Sequence, residues 1–251
     1  MHNLKDDQSL SRYETDSLLS QYLLFHYGSR EEQLPYSFGP YQALDFPVRC
    51  VTECIDKEAL TPTALGIDLG CAVGRSTFEL TRYCKHVTGV DNSQSFIEAA
   101  KWMQSEHTLK FQIAEEGAHR SYHTIHLPSG LDPSKVDFVC QDVMELEHKE
   151  YEIVLAANLI CRLPNPLLFL ETIHEHVSPK GQLILTSPYS WLEEFCPKNY
   201  WLPGESGLKG LKGILNKNFE LIKIKELPFL IREHKRKYQY GVAQATTWLK
   251  I

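Results

Sequence analysis

Apolar and polar residues follow two different periodicities along the chain. Short apolar runs that stop at a turn residue predict buried strands, and apolar residues three or four positions apart predict helices. From residue 64 onward the two kinds of element alternate. The predicted strands cover 64–70, 85–91, 136–142, 151–158 and 181–188, and the helices between them cover 75–84, 93–105 and 166–177. This alternation indicates an α/β fold with a parallel sheet covered by helices on both faces.

The C-terminal part of the chain follows another pattern. Residues 218–234 and 238–250 are two long strand-like runs, joined at the sequence HKRK. Such a short connection has no room for a crossover helix, so the two strands must be antiparallel. We therefore expect a seven-stranded sheet, in which five parallel strands are followed by an antiparallel C-terminal pair.

Two segments lie outside the alternation. Residues 1–60 precede the first strand and have helical character, which predicts an N-terminal helical cap on a main domain spanning 61–251. Residues 107–135 separate the second helix from the third strand and are typical of a β-hairpin with an exit rich in proline and glycine. Long insertions in compact domains are often lids or binding loops.

Composition and charge exclude several classes of protein. The chain is 43% hydrophobic and 23% charged, with a formal net charge of -6 and one basic block at 232–237. Nucleic acid is therefore a poor partner, because such proteins usually carry a basic footprint. The first ten residues lack a signal-peptide core, no apolar run approaches the roughly 20 residues that span a bilayer, and the seven cysteines show no zinc-like pairing. We expect a reduced cytoplasmic protein without a membrane partner.

The sequence DLGCAVG, residues 68–74, connects the first strand to its helix. Gly70 and Gly74 allow the backbone to turn sharply and to approach a ligand closely. Dinucleotide sites need the spacing G-x-G-x-x-G, and a carboxylate such as Asp68 beside the turn would repel a pyrophosphate. The loop instead suits a ligand with a cationic end and no phosphate, as in S-adenosylmethionine.

Acidic residues also follow the next two strands. Asp91 ends the second strand and can accept hydrogen bonds from both hydroxyls of a ribose. Asp142 follows the third strand and can meet an adenine amino group. Acids at three successive strand ends predict S-adenosylmethionine as cofactor and S-adenosylhomocysteine as product. The expected cofactor-binding residues are Asp68, Gly70, Cys71, Gly74, Asp91, Asn92, Asp142, Val143 and Asn158.

Four longer stretches resemble a known family. They are YETDSLLSQYLLFHYG, GIDLGCAVGRSTFEL, AANLICRLPNP and REHKRKYQYGVAQATTW. Together they resemble the 4-mercaptohistidine (5-thiohistidine) N1-methyltransferase domain of ovothiol biosynthesis, and the resemblance covers nearly the whole chain. It implies the Rossmann-like fold of class I methyltransferases and methylation of an imidazole nitrogen of that small amino acid. In that family an iron-dependent sulfoxide synthase often precedes the domain, which implies such an enzyme as a functional partner.

Methyl transfer is an in-line displacement, so the protein mainly supplies position. The thiolate of a mercaptohistidine is normally a better nucleophile than its ring nitrogen, so the site must turn the ring toward the methyl group. Little base catalysis is needed if the attacking nitrogen is unprotonated. We expect Asn158, Glu14 and His26 nearest the reaction, with Asn158 bonded to an imidazole nitrogen and His26 or a carboxylate able to remove a remaining proton.

The substrate half of the site is expected outside the parallel strands. The expected substrate-binding residues are Tyr13, Tyr27, Arg162, Tyr189 and Arg232, in which the arginines suit a carboxylate. Structural roles stay open for several of them: Asn158 can satisfy a turn, Arg162 can be solvated, and Asp16 can cap the first helix.

Other interpretations are also open. His119, His123 and His126 do not all share one face of a strand and lack a completing ligand, so we expect no metal site. The same fold and cofactor can serve a selenohistidine or another small amine or thiol. A noncatalytic binding module that keeps the cofactor fold and serves as a partner subunit is a third alternative, against which the glycine loop, Asp91 and Asp142 argue.

Overall fold

The protein is described by a computed structural model for residues 16–251. Its first part is helical, as the sequence predicts, and comprises α1 (Asp16–Tyr27), α2 (Arg30–Gln33) and α3 (Phe46–Thr52). Asp16 is the first residue of α1. Tyr13 and Glu14 lie outside the described residues, so their roles stay predictions.

A seven-stranded sheet forms the centre of the molecule. The chain contains the strands β1 (Leu65–Leu69), β2 (His86–Asp91), β3 (Thr108–Ala114), β4 (Arg120–His126), β5 (Val136–Cys140), β6 (Tyr151–Ala157), β7 (Val177–Ser187), β8 (Phe219–His234) and β9 (Lys237–Lys250). The order in the main sheet is β5-β2-β1-β6-β7-β9-β8. The first five of these strands are parallel, and β9 is antiparallel to both β7 and β8. The predicted sheet is confirmed, and its strand order reverses between β1 and β6, where such sheets bind ligands.

The remaining helices are α4 (Arg75–Leu80), α5 (Gln94–Glu106), α6 (Pro166–Thr172) and α7 (Gly207–Leu215). Ser93 caps α5 as predicted, since its hydroxyl accepts a hydrogen bond from Phe96 N–H at 3.2 Å. Pro166 is the first residue of α6, where its missing N–H costs nothing. Helices α4 and α6 end earlier than the pattern predicts, and α6 continues only as the 3-10 turn Ile173–His176.

Apolar side chains cover both faces of the sheet. Neighbouring residues of β6 point to opposite faces, and Ile153 packs in the cluster of Phe46 while Val154 packs in that of Phe169. This arrangement confirms the predicted helices on both faces. Within residues 16–251, no helix has the length and apolar character required to cross a bilayer.

Three additions to the parallel sheet meet beyond the carboxyl edge of its strands: the N-terminal helical part, the β3–β4 insert and the tip of β8 and β9. Strands β3 and β4 form a separate hairpin, as predicted for the insert. Ser187, at the end of β7, pairs with Gln244, so the earlier residues of β9 and their β8 partners extend past this edge. At the extended tip, Lys235 N–H donates to Glu115 O of the insert, and Tyr36 of the N-terminal part donates to Lys235 O.

Candidate functional site

The loop between β1 and α4 is tied to the end of β2. Gly70 N–H and Cys71 N–H both donate to Val90 O, at 2.8 and 3.0 Å. Ala72 N–H donates to the Asp91 carboxylate at 2.9 Å. These bonds hold the loop as a fixed backbone cradle at the point where the strand order reverses.

The shape of the cradle depends on its two glycines. Gly70 and Gly74 have φ values of 72° and 85°, in the left-handed region that favours glycine. A Cβ at Gly74 would lie 2.5 Å from Phe138 Cζ, and one at Gly70 would lie 2.9 Å from Leu159 Cδ1. Both positions therefore need glycine for backbone conformation and for space.

Ala72 lies between these glycines and also has a positive φ, of 47°. The left-handed conformation costs a non-glycine residue about 1–2 kcal/mol. Replacing Ala72 with glycine removes this cost, but glycine loses more conformational entropy on folding, which offsets part of the gain. Ala72 is also buried, so glycine loses about 0.8 kcal/mol of methyl burial, and we expect Ala72→Gly to change the free energy of unfolding by less than about 0.5 kcal/mol, measured by chemical denaturation. The control is Ala99→Gly in α5, where glycine should cost about 1 kcal/mol. Equal destabilisation by both substitutions would contradict strain at Ala72.

Asp68 is fully buried behind the cradle. Its Oδ2 accepts hydrogen bonds from Ser76 Oγ and Thr77 Oγ1, both at 2.7 Å. Its Oδ1 is buried and has no partner within the described chain. Burial raises the pKa of this carboxyl to about 6, against the lowering effect of the two hydroxyls. A buried carboxylate with one unsatisfied oxygen is chemically suited to a nearby cation.

Asp91 joins the cradle to the start of α5. Its Oδ2 accepts from Ala72 N–H and its Oδ1 accepts from Ser93 N–H, both at 2.9 Å. These bonds orient the carboxylate at the end of β2. Because a carboxylate has about four acceptor positions, an oriented Asp91 is suited to accept ribose hydroxyls as well.

The third acidic residue begins a short 3-10 helix. Asp142 is exposed, and its Oδ1 accepts from Met144 N–H at 2.8 Å. Val143 follows it and is buried. Asn92, beside Asp91, is close to the neighbouring β5 end, since its carbonyl lies 3.7 Å from Cys140 Sγ. The predicted cofactor residues thus occupy consecutive strand ends at one edge.

Asn158 follows β6 at the same edge. It has a φ of 54°, and its N–H donates to Thr186 O at 2.9 Å. Its side-chain Oδ1 accepts from Thr186 Oγ1 at 2.9 Å. The amide oxygen therefore serves the turn, while Nδ2 makes no hydrogen bond within residues 16–251. Asn158 can present its unpaired Nδ2 donor, and its oxygen keeps one acceptor position.

The end of α1 packs on the cradle. Tyr27 Oη donates to Val73 O at 2.7 Å, so its hydroxyl proton holds the loop, and its predicted contact with the substrate stays a prediction. His26 is half-buried, and its Nδ1 has no partner among the described residues. Burial and the nearby Arg75 guanidinium lower the pKa of His26 to about 3. Such a ring is neutral near pH 7 and a weak base, which argues against the predicted proton acceptor.

This lowered pKa has a consequence for acid stability. Between about pH 6.5 and pH 3 the unfolded chain binds a proton at His26 and the folded protein does not. The contribution of neutral His26 to the free energy of unfolding is therefore full above pH 6.5 and is lost as the pH falls. Wild type should lose stability from pH 7 to pH 5, whereas His26→Gln should not lose this part. We therefore expect the free energy of unfolding of His26→Gln, measured relative to wild type, to rise by about 1–2 kcal/mol between pH 7 and pH 5. Denaturation at both pH values measures this, with His126→Gln at an exposed position as control. A difference that does not change with pH would contradict the buried neutral ring.

Two more predicted substrate residues lie near Asn158 but use their polar groups within the protein. Arg162 Nη1 donates to Cys161 O at 3.1 Å and to Ser190 O at 2.9 Å. Tyr189 Oη donates to Gln244 Oε1 at 3.1 Å, and burial raises the pKa of this phenol to about 12. Both side chains hold the segment after β7, and their predicted contacts with the substrate stay predictions.

Arg232 lies at the junction of the three additions rather than beside Asn158. It is 4% exposed, and its guanidinium donates to Glu32 O and to Glu115 Oε2, both at 2.6 Å. His123 belongs to the same network, with Nδ1 2.7 Å from Glu32 Oε1 and Nε2 2.8 Å from Ser121 Oγ. This histidine of the insert therefore joins the hairpin to α2.

A cavity of about 540 Å³ lies on the outer side of α3 and the start of α4. Its charged residues are paired, with ion pairs of 2.8 Å for Arg49–Glu53, 2.8 Å for Arg75–Glu79 and 3.4 Å for Arg30–Asp45. None of the strand-end residues line it. Despite its volume, this cavity is therefore not the candidate cofactor site.

Sequence reasoning missed the residues that orient the site. Ser76 and Thr77 hold Asp68, and Thr186 holds Asn158. A signal for each was present: two hydroxyl residues open the helix after the glycine loop, and one threonine interrupts the apolar run of the fifth strand.

Comparison with known proteins agrees with this geometry. Residues 67–185 match the family described as "Methyltransferase domain". That segment runs from β1 to β7 and contains Asp68, Asp91, Asp142 and Asn158. No curated protein matches the sequence.

Solved structures share the fold at low sequence identity. The cyclase SpnF has a TM-score of 0.60 at 16% identity and covers 97% of this chain and 95% of its own. Magnesium protoporphyrin IX methyltransferase from Synechocystis PCC 6803, with bound SAM, has a TM-score of 0.53 at 16% identity and covers 94% and 98%. The N-methyltransferase NodS from Bradyrhizobium japonicum WM9, with S-adenosyl-L-homocysteine, has a TM-score of 0.51 at 13% identity and covers 90% and 98%. Because one of these proteins is described as a cyclase, the fold alone does not determine the reaction.

The domain match and the site chemistry point to the same cofactor. Residues 67–185 are similar to a methyltransferase domain, and the chain has the Rossmann-like fold of the S-adenosylmethionine-dependent methyltransferases compared above. The residues present fit that cofactor, because the unpartnered Oδ1 of Asp68 suits a cationic group and no phosphate contact is required.

Proposed function

We propose that the protein transfers a methyl group from S-adenosylmethionine to an imidazole nitrogen of 4-mercaptohistidine, giving ovothiol. The buried, unsatisfied oxygen of Asp68 carries the cofactor half of this proposal. The four sequence stretches that resemble the mercaptohistidine N-methyltransferases carry the substrate half. An iron-dependent sulfoxide synthase as functional partner and a cytoplasmic location belong to the same proposal.

Each end of the cofactor has suitable residues. The charge of Asp68 favours the sulfonium and ammonium groups at the cradle. Asp91 is oriented to accept the ribose hydroxyls, and Asp142 with Val143 would border the adenine. The cofactor supplies the activated methyl group, so this chain's residues only bind and orient.

Asn158 can solve the problem of choosing nitrogen over sulfur. Thr186 already donates to its Oδ1, whereas Nδ2 has no partner among residues 16–251 and is the more available group for the substrate. A donor facing the attacking nitrogen would block its lone pair. We therefore assign Nδ2 to the substrate thiolate, where a hydrogen bond lowers the reactivity of sulfur and turns the ring nitrogen toward the methyl group.

The proton balance requires no strong base. An anionic thiolate substrate that receives a methyl cation becomes a neutral product, and no proton has to leave for the nitrogen to react. The low pKa of His26 agrees with this scheme. His26 is then a neutral contact at the cofactor end of the site, while the remaining candidate base, Glu14, lies outside the described residues.

The test is methyl transfer in solution. Calorimetry should detect binding of S-adenosylmethionine, and mass spectrometry should detect a product of 4-mercaptohistidine that carries one additional methyl group. Cofactor binding with transfer only to a selenohistidine or another small amine or thiol would favour the second interpretation. Absence of cofactor binding would favour a noncatalytic module.

Glu14 provides a variant that separates activity from folding. We expect Glu14→Gln to reduce methyl transfer at least about tenfold, because a carboxylate facing a substrate ammonium or ring N–H contributes a charged hydrogen bond. The melting temperature should stay close to that of wild type. Glu106→Gln, at the exposed end of α5, is the control. Full activity in Glu14→Gln would mean that the stretch YETDSLLSQYLLFHYG has a packing role alone.

A further inference from the structure

A second cavity lies between the three additions outside the parallel sheet. It has a volume of about 250 Å³ and is bordered by one face of α1, the end of β3, and residues of β4 and β8. Sites for drug-sized ligands are commonly about 300–1,000 Å³. This cavity therefore suits a smaller molecule, of the size of a single amino acid.

Charges of both signs border the cavity. Arg120 and Arg232 supply guanidinium groups, Asp16 and Glu233 supply carboxylates, and Ser20 and Gln112 supply neutral polar groups. Arg232 is paired with Glu115 and Glu233 with Lys237, both at 2.6 Å, so the charges left without an ion-pair partner among the described residues are the cation of Arg120 and the anion of Asp16. They match a zwitterion, in which an α-carboxylate and an α-ammonium lie a few bonds apart.

One of the guanidinium groups is rigidly held. Arg232 donates to Glu32 O and to Glu115 Oε2, and Glu115 Oε1 in turn accepts from Ser121 Oγ at 2.6 Å. Arg232 Nε is buried without a partner among residues 16–251. A fixed, buried guanidinium binds a carboxylate with little loss of conformational freedom.

We propose that this cavity binds the α-amino and α-carboxylate groups of a free amino acid. Arg120 and the unpartnered Nε of Arg232 bind the carboxylate, and Asp16 binds the ammonium. The inference rests on the proposed function in one respect, namely that the amino acid is a histidine derivative. The site is built from the N-terminal helices, the insert and the β8–β9 tip, so it explains why these three additions converge.

Binding of truncated histidines to the protein saturated with S-adenosylhomocysteine tests this assignment by calorimetry. The probes are L-histidine, histamine without the carboxylate, and imidazolepropionate without the ammonium. We expect Arg120→Gln to weaken L-histidine and imidazolepropionate about tenfold and to leave histamine unchanged. Asp16→Asn should weaken L-histidine and histamine and leave imidazolepropionate unchanged. Both residues are exposed, so both variants should fold.

The matched control is Arg236→Gln, which removes an exposed cation of the same tip that pairs with Glu116 and does not border the cavity. It should bind all three probes within about twofold of wild type. If Arg120→Gln and Asp16→Asn alter all probes equally, or none, the zwitterion site is wrong. Failure of the proposed function is a separate result, since it would appear as absent methylation of mercaptohistidine while L-histidine still binds.

Discussion

Replacing Asp68 with asparagine should stabilise the unliganded protein and weaken its binding of S-adenosylmethionine. Asp68 is buried, carries an unpartnered oxygen and has a pKa raised to about 6, so at pH 7 the folded chain holds an unfavourable charge. Asparagine keeps an oxygen for Ser76 and Thr77 and removes that charge. We expect a gain of about 1–3 kcal/mol in the free energy of unfolding at pH 7. Loss of the charge should weaken cofactor binding roughly tenfold or more.

The pH dependence identifies the cause of this gain. A carboxyl whose folded pKa is raised above its usual 3.8 favours the folded state at low pH, and this contribution is lost as pH rises through about 6. The advantage of Asp68→Asn should therefore grow from pH 4 to pH 7. Denaturation across this range and calorimetry with the cofactor measure the two effects. Glu106→Gln, at the exposed end of α5, is the control. A destabilised Asp68→Asn protein that binds the cofactor normally would contradict this account.

Replacing Gly74 with alanine should cost the most stability of any single methyl group added to the cradle. The backbone has a φ of 85°, and the new Cβ would lie 2.5 Å from Phe138 Cζ in a buried cluster. The left-handed conformation costs about 1–2 kcal/mol. Overpacking a rigid core adds about 1–3 kcal/mol. We expect a loss of about 3 kcal/mol or more, measured by chemical denaturation.

A substitution at Gly117 separates the cost of the backbone conformation from the cost of overpacking. Gly117 also has a positive φ, of 56°, but an added Cβ would meet nothing within 4 Å. Gly117→Ala should therefore show only the conformational cost, of about 1–2 kcal/mol. Equal losses for both variants would mean that Phe138 moves aside at no cost, and that the cradle is less tightly packed than described.

The fold could be predicted from the sequence because its signals are local. Apolar runs ending at Gly70, Asp91 and Asn158 mark strands whose burial on both faces leaves few alternatives. Hydroxyl and amide caps such as Ser93 and Asn165 also act over one helical turn. The extension of β8 and β9 past β7 was not predicted, because it depends on which residue pairs with Ser187.

The candidate site could be predicted only in part. Acids at strand ends are brought together by the topology of a parallel sheet, whatever their neighbours are. The partners of Tyr27, Arg162 and Arg232 come from segments far along the chain, and these partners determine whether a polar group faces a ligand or the protein. Periodicity carries no information about such contacts.

The most direct test of the central claim is the position of the transferred methyl group. The protein is incubated with 4-mercaptohistidine and S-adenosylmethionine that carries a carbon-13 methyl group, and the product is analysed by nuclear magnetic resonance. The account predicts a labelled methyl that correlates with ring carbons through an imidazole nitrogen. A labelled methyl on sulfur, or no labelled product from a protein that binds the cofactor, would contradict it.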